Sequence, residues 1–125
     1  MKYLKLAICP SVREGIITEY DTVDVHNTDF TNVGAVVVSV PHARKIVEKV
    51  KATGFGIPIF IALQPDEQIP ERLLPQLDGV LQLGFGSRHY YGKQVEAAAD
   101  QYAENLAPPF FGTLKKIRQT RLRRI

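Results

Sequence analysis

The chain has 125 residues, of which 45% are hydrophobic, and this length fits one compact domain that buries about two-thirds of its unfolded surface. Its one cysteine excludes an internal disulfide, and no apolar run reaches the ~20 residues that cross a bilayer. With no secretory leader pattern at its start, the sequence predicts a cytoplasmic protein that does not span a membrane.

The formal net charge of +3 originates at one end of the chain. Six lysines and arginines lie within residues 115–125 without any acid, which leaves residues 1–114 at −3. The segment from Lys115 to Arg124 could bind the phosphates of nucleic acid or of anionic lipid. No aromatic residue is interleaved with these charges, and a solvated helix face or a linker explains them better. We therefore expect neither nucleic acid nor a membrane as a partner.

Five segments have the composition of strands. Val33–Val40 is a β-branched run without polar alternation, which indicates a strand that is covered on both faces at the centre of a parallel sheet. The other strands are predicted at Tyr3–Cys9, Val23–His26, Ile57–Leu63 and Gly79–Gly84.

Two amphipathic helices and one shorter helix separate these strands. The first helix follows Pro41 and ends at Gly54, and the last begins after the capping residue Ser87. Their apolar stripes are Ala43, Ile46, Val47 and Val50 in the first, and Tyr91, Val95, Ala98, Tyr102 and Leu106 in the last. A short helix that Pro75 weakens is predicted from Pro70, with Leu73, Leu74 and Leu77 on one side.

Strands that alternate with helices at this spacing predict an α/β fold, a doubly wound parallel sheet of about five strands that is flavodoxin-like or receiver-like. The double proline Pro108-Pro109 interrupts the last helix. We therefore predict a sheet domain over residues 1–107 and a joint with a basic C-terminal segment over residues 108–125.

The positions that carry chemistry in such folds hold unsuitable residues here. A receiver has a phospho-accepting aspartate after its central strand, where this chain has Ser39-Val40-Pro41, and a lysine after its final strand, where this chain has Gln82-Leu83-Gly84. A flavodoxin binds phosphate after its first strand, where Pro10–Gly15 offers one serine, one arginine and one glycine. We predict no catalytic or cofactor-binding residue in this chain.

Histidines, the cysteine and a group of aspartates remain as candidates. His26, His42 and His89 have no spacing typical of a metal site, so we predict no metal and interpret them as surface or loop residues. Cys9 ends a buried strand and is interpreted as a small core residue. Asp21, Asp24 and Asp29 could form an acidic patch, but turns and caps explain aspartates there at least as well.

Three motif patches resemble the N-terminal domain of bacterial ornithine, lysine and arginine decarboxylases. They lie within residues 27–37, 53–60 and 98–111, and the last combines a tyrosine, a Glu-Asn pair and a double proline followed by aromatic residues. The first patch favours the ornithine-type members. The positions that carry the motifs are Thr28, Asp29, Phe30, Gly54, Phe55, Pro58, Tyr102, Glu104 and Asn105.

The resemblance implies a "wing" domain that precedes a catalytic domain containing pyridoxal phosphate. It implies that the wing helps to assemble a homo-oligomer with neighbouring wings, and it allows a guanine-nucleotide effector. The Schiff-base lysine segment of the family has no counterpart in this chain. The chain by itself is therefore predicted to be no enzyme, while the parent enzyme is an amino-acid decarboxylase, a carbon–carbon lyase of polyamine biosynthesis.

Pro108, Pro109, Phe110 and Phe111 are predicted to form the joint between the sheet domain and the part of the protein that follows it. An alternative function, from a different class of protein, is that of a free-standing receiver-like interaction protein without a phosphorylation site. A reading frame that continues into a catalytic domain would exclude this alternative.

Overall fold

The computed structural model describes residues 4–106, which form one parallel sheet with helices on both faces. The strands are β1 (Lys5–Ile8), β2 (Thr22–Asp24), β3 (Val33–Ser39), β4 (Ile59–Leu63) and β5 (Gly79–Gln82). The α-helices are α1 (Val40–Thr53) and α2 (Arg88–Leu106), and three 3-10 helices lie at Pro10–Gly15, Val25–Asn27 and Glu71–Gln76. The predicted joint and basic segment fall outside the described residues.

The strand order is β2-β1-β3-β4-β5, and every pairing in the sheet is parallel. This is the order of flavodoxin-like doubly wound sheets, so the predicted fold class is confirmed. The central strand is β3, whose seven residues are all buried, as its unbroken apolar run predicts. Because all strands are parallel, their carboxyl ends meet at one edge of the sheet, the carboxyl edge, and their starts meet at the opposite amino edge.

Helix α1 crosses from β3 to β4 and buries the predicted stripe of Ala43, Ile46, Val47 and Val50. Its end at Gly54 is also confirmed, since Gly54 has a left-handed backbone with φ of 71° and its N–H bonds to the Lys51 carbonyl. Only a residue without a Cβ adopts this conformation at little cost.

Helix α2 covers the other face of the sheet. The Ser87 hydroxyl accepts a 3.0 Å hydrogen bond from the Tyr90 N–H, which confirms the predicted cap. A Cβ added to Gly34 of β3 would lie 3.0 Å from the Ala99 methyl group of α2, so helix and strand are in close contact there. The predicted stripe was wrong at its end, because Leu106 is 48% exposed.

The short helix predicted from Pro70 is present as a 3-10 helix, but its predicted leucine face was wrong at Leu74. Glu71–Gln76 is a 3-10 helix with Pro75 inside it, and proline lacks the N–H that a continuing α-helix needs. A 3-10 helix has three residues per turn, so neighbouring leucines diverge. Leu73 is buried, whereas Leu74 is 49% exposed.

The connection from β1 to β2 contains no α-helix in the described chain. The 3-10 helix at Pro10–Gly15 is followed by a segment without regular secondary structure, residues 16–20, that lies against α2. Within residues 4–106, no helix is both long enough and apolar enough to span a bilayer.

Candidate functional site

The carboxyl edge brings together four side chains at the ends of the three neighbouring strands β2, β1 and β3. Cys9 Sγ lies 3.8 Å from His26 Nε2, and the Ser39 hydroxyl lies 3.4 Å from the same sulfur. The His26 and His42 rings meet edge to face with centroids 4.8 Å apart. The sequence spacing did not predict this cluster, because its members come from different elements.

The cluster does not have the form of a reaction centre. Cys9 is fully buried, so its thiol is a core group, as predicted, and no substrate can reach it. Among residues 4–106, no group of three or more histidine, cysteine, aspartate or glutamate side chains could hold a metal ion. His26 and His42 are exposed, in agreement with a loop or surface role.

The loop after β1 also has a structural explanation. The Arg13 guanidinium donates a 2.8 Å hydrogen bond to the Ile16 carbonyl and a 3.3 Å bond to the Thr22 hydroxyl. These bonds tie Arg13 to the start of β2. The Arg13 side chain, which could have bound a phosphate group, thus stabilises the connection between β1 and β2 instead.

The described residues do not fit pyridoxal phosphate. This cofactor requires a lysine for its Schiff base, held in a site that orients the ring and excludes water. Each lysine in residues 4–106 is exposed on the surface; they are Lys5, Lys45, Lys49, Lys51 and Lys93.

Two of the three candidate aspartates form local turns and caps. Asp24 accepts a 2.8 Å hydrogen bond from the His26 N–H and caps the 3-10 helix that follows. Asp29 accepts a 2.9 Å bond from the Thr31 N–H, and hydrogen bonding to Thr31 holds the pKa of its carboxyl below the usual value. The structural interpretation is therefore confirmed for these two residues. No side-chain bond of this kind is formed by Asp21 with the described residues.

The first motif patch, at residues 27–37, forms the entry to the central strand. The Thr28 hydroxyl accepts a 3.0 Å hydrogen bond from the Phe30 N–H, and Phe30 has a left-handed backbone with φ of 68°. A bulky residue in this left-handed backbone region is strained by about 1–3 kcal/mol. Burial of the Phe30 ring offsets this cost. The Asn32 carbonyl accepts from the Lys5 N–H, which places the patch at the amino edge.

The second motif patch, at residues 53–60, lies at the same edge. Gly54 ends α1, Phe55 follows with 47% of its surface exposed, and the Pro58 carbonyl accepts a 2.9 Å bond from the Val36 N–H. The patch thus links the end of α1 to the start of β4. Phe55 is a large apolar side chain presented to solvent at this position.

The third motif patch reaches the amino edge along α2. This helix begins near the carboxyl end of β5, and its second half packs on Gly34 at the start of β3 through Ala99. Tyr102 is half-buried, and burial raises the pKa of its phenol. Glu104 and Asn105 follow on the exposed last turn.

The described parts of the three motif patches, residues 27–37, 53–60 and 98–106, therefore converge on the amino edge, although they are far apart in the sequence. Ligand sites of doubly wound sheets lie at the opposite, carboxyl edge. The candidate functional surface is the amino edge, where α2 ends at Leu106 and the chain continues toward residue 107. Phe55 and Leu106 contribute exposed apolar area there.

A second contact region was missed by the sequence analysis, namely that between α2 and residues 17–20. Glu96 accepts a 2.6 Å hydrogen bond from the Thr18 hydroxyl and a 2.8 Å bond from the Glu19 N–H. The Tyr20 hydroxyl donates to Asp100. Burial raises the pKa of Tyr20 above its ordinary value, and the negative charges of Asp100 and Glu96 raise it further.

Gly92 makes this contact possible, because a Cβ at this position would overlap the backbone of Ile17. Gly92, Glu96 and Asp100 are four residues apart and share one face of α2. A glycine inside a helix destabilises it by about 1 kcal/mol relative to alanine. The presence of Gly92 in a predicted helix was therefore the one sequence feature that indicated a close approach of another segment to α2. The contacting partner could not be identified from the sequence.

Comparison with known proteins agrees with the resemblance. Residues 4–102 match the model of the Orn/Lys/Arg decarboxylase N-terminal domain. An inducible ornithine decarboxylase of Escherichia coli is 34% identical over 115 residues, which are 91% of this chain and 16% of that protein. An ornithine decarboxylase of Haemophilus influenzae is 32% identical over 116 residues, 93% of this chain and 16% of that protein.

An inducible ornithine decarboxylase of Lactobacillus sp. (strain 30a) is 29% identical over 114 residues and is likewise covered over 16% of its length. The chain thus spans only a small part of these relatives, whereas they span nearly all of the chain. The family match covers most of the described sheet domain and confirms the resemblance predicted from the three motif patches. The chain belongs to the Orn/Lys/Arg decarboxylase N-terminal domain family.

Proposed function

We propose that this chain is the non-catalytic wing domain of an ornithine decarboxylase that depends on pyridoxal phosphate, and that it serves oligomer assembly. One observation carries the proposal: three ornithine decarboxylases match 90–93% of the chain, and the chain covers 16% of each. The surface-exposed lysines of the described region support the view that the cofactor and the lyase chemistry belong to the rest of a longer protein.

In this proposal the amino edge is the side that faces the catalytic domain. The sheet domain comprises residues 1–107, and Pro108, Pro109, Phe110 and Phe111 form the joint. Because α2 ends at the amino edge, a domain that follows the joint starts beside the three motif patches. Prolines restrict the backbone at such a joint, and aromatic rings supply large apolar contact area.

The partners in this proposal are the catalytic domain and the wing domains of neighbouring subunits in a homo-oligomer. A guanine-nucleotide effector is supported by the family resemblance alone. Placement in the cytoplasm is supported by the single cysteine, Cys9, which is buried and has no second cysteine for a disulfide.

The decisive experiment starts from the complete reading frame. We would express that protein, the same protein without residues 1–107, and the 125-residue chain, and measure CO2 release from ornithine, lysine and arginine with pyridoxal phosphate. We expect the complete protein to prefer ornithine, the deletion to lower its oligomeric mass, and the chain alone to be inactive. Titration with guanine nucleotides would test the effector by a change in this rate.

Two results would refute the assignment as a non-catalytic wing domain. Decarboxylation by the isolated chain would show that catalysis resides within residues 1–125. A reading frame that ends at Ile125 would favour the free-standing receiver-like interaction protein. An unchanged oligomeric mass after deletion of residues 1–107 would remove the assembly role but leave the family membership untouched.

A further inference from the structure

The buried thiol of Cys9 lies directly beneath the exposed imidazole ring of His26. Cys9 Sγ is 3.8 Å from His26 Nε2, and Cys9 has no accessible surface, whereas His26 is exposed. The ring belongs to the short 3-10 helix Val25–Asn27, which is anchored by the buried Val25 side chain. Because the ring lies on the outer side of this element, it can rotate into solvent without unpacking Val25.

The hydrogen bond between the sulfur and the ring requires a neutral His26. The Ser39 hydroxyl donates to Cys9 Sγ at 3.4 Å, so the proton of the thiol is left to point at Nε2, which accepts it. A protonated imidazole carries a proton on both nitrogens and can only donate. Protonation of His26 therefore removes the acceptor that the thiol uses.

A second histidine packs against the same ring. The His26 and His42 rings meet edge to face with centroids 4.8 Å apart, and His42 is exposed near the start of α1. Two unit positive charges at this separation repel enough, even in bulk water, to shift an equilibrium by about fourfold. The contact is therefore compatible with neutral rings and is weakened once both rings are protonated.

Within residues 4–106, no carboxylate is paired with either ring to offset this repulsion. Asp24, at the end of β2, is the acid nearest to His26 in the sequence. Its oxygens accept from the His26 backbone N–H at 2.8 Å and from the Asn27 side chain at 3.2 Å. Glu14, the acid of the 3-10 helix after β1, is exposed and forms no ion pair with His26 or His42.

The cations of the neighbouring elements do not favour a second positive charge at this contact. Arg13, on the 3-10 helix after β1, is bonded to the connection between β1 and β2. On α1, Lys45 follows His42 by one helical turn, and Arg44 pairs with Glu48 at 3.7 Å. The charges on these elements therefore add to the repulsion between two protonated rings or leave it unchanged.

We propose that His26 and His42 form a pH-sensitive cover over the Cys9 thiol. Histidine side chains ordinarily gain a proton as the pH falls through about 6.5. With neutral rings, the bond between sulfur and ring is formed and the thiol is closed off from solvent. With protonated rings, His26 loses this bond, is repelled by His42 and rotates outward, which opens a path to the sulfur. This device is independent of the proposed role in assembly.

The test is the rate at which Cys9 in the 125-residue chain reacts with the disulfide 4,4′-dithiodipyridine. The Cys9 thiolate bonds to one sulfur of the reagent, and the other half leaves as 4-thiopyridone, whose absorbance gives the rate. Cys9 is the one cysteine of the chain, so the signal has a single source. Division by the rate of the same chain unfolded in concentrated urea at the same pH removes the pH dependence of the thiol chemistry and leaves the fraction of open molecules.

We expect this open fraction to rise at least about fourfold from about pH 7.5 to about pH 5 at low salt. High salt should reduce the rise, because it screens the repulsion between exposed charges. The open fraction should hardly change with urea well below the unfolding transition, because local opening exposes little surface.

Three glutamine variants identify the groups that are responsible. His42→Gln takes up no proton and should lose about fourfold of the rise. His26→Gln should make the open fraction independent of pH, since neither the bond to sulfur nor the repulsion then depends on a proton. His89→Gln is the matched control, because His89 is an exposed histidine of α2 outside this cluster, and it should respond like the native chain. Circular dichroism would confirm that every variant is folded.

Three outcomes would overturn the proposal. The first is an open fraction that does not change with pH in the native chain. The second is an equal response to pH in the His42→Gln and His89→Gln chains. The third is an open fraction that rises steeply with low urea, which would show that Cys9 becomes accessible only by global unfolding. None of these results bears on the decarboxylase relationship, which the reading-frame experiment tests separately.

Discussion

Gly92→Ala is the substitution for which helix propensity and tertiary structure predict opposite effects on the stability of the fold. Alanine stabilises a helix interior by about 1 kcal/mol relative to glycine. In this fold, however, the added Cβ would lie 2.8 Å from the carbonyl carbon of Ile17 and closer still to its oxygen. Ordinary carbon–carbon contacts are at about 3.5–4.0 Å, so the backbone of the segment must move away from α2.

The size of the expected destabilisation follows from the contacts that this displacement weakens. Overpacking costs about 1–3 kcal/mol. Movement of residues 17–20 also weakens the Ile17 N–H bond to the Arg88 carbonyl and the two bonds that Glu96 accepts, each contributing about 1 kcal/mol. With overpacking near the middle of its range, about half of the energy of these three bonds lost and the helix propensity subtracted, we expect the free energy of unfolding to fall by about 2–3 kcal/mol, and Tm by about 8–12 °C.

Urea denaturation followed by circular dichroism would measure this change. Ala97→Gly is the control, because Ala97 is exposed on the same helix and reports the propensity effect alone, about 1 kcal/mol of destabilisation. If Gly92→Ala left the stability unchanged or raised it, the close approach of α2 and Ile17 would be refuted.

Three further predictions can be checked by the same denaturation assay. Ser87→Ala removes the cap of α2 and should cost about 1 kcal/mol, and an unchanged midpoint would contradict the cap. Gly79→Ala places a methyl group in space that the Phe60 ring occupies and should lower the free energy of unfolding by about 2 kcal/mol. Adding Phe60→Leu to this variant should relieve part of the steric overlap. Burial and nearby carboxylates raise the pKa of Tyr20, so its hydroxyl stabilises the fold below the unfolded pKa near 10 and loses this contribution as pH rises further. The stability difference between the native chain and Tyr20→Phe should therefore shrink between about pH 8 and about pH 11, and a difference that grows would show that the pKa is lowered instead.

The elements that were predicted correctly have strong local signals. The unbroken apolar run of β3, the i, i+3, i+4, i+7 pattern of α1, Gly54 and Ser87 act over a few residues each. The leucine face predicted for the short helix was wrong at Leu74, and there the local signals conflict. The leucines from Leu73 to Leu77 suggest a helical face, but Pro75 removes the donor that an α-helix requires.

The candidate surface was predicted only in part. The motif positions were identified from the sequence, but their convergence on the amino edge depends on strand order and on the direction of α2. The joint at Pro108–Phe111 lies outside the described residues and stays a prediction. The contact of His26 with His42 was not predicted, because the two rings come from different connections of the sheet.

The sequence by itself determined the fold class, the strands and both α-helices, because hydrophobic periodicity and capping are encoded within short windows. It also contained the motif patches from which the family resemblance was predicted, and the family match over residues 4–102 confirms that resemblance. The tertiary structure decided which distant residues meet. Thr18 and Glu96 are 78 positions apart, and only the packing of residues 16–20 against α2 brings them together. The amino edge exists for the same reason, since a surface is defined by the arrangement of elements in space.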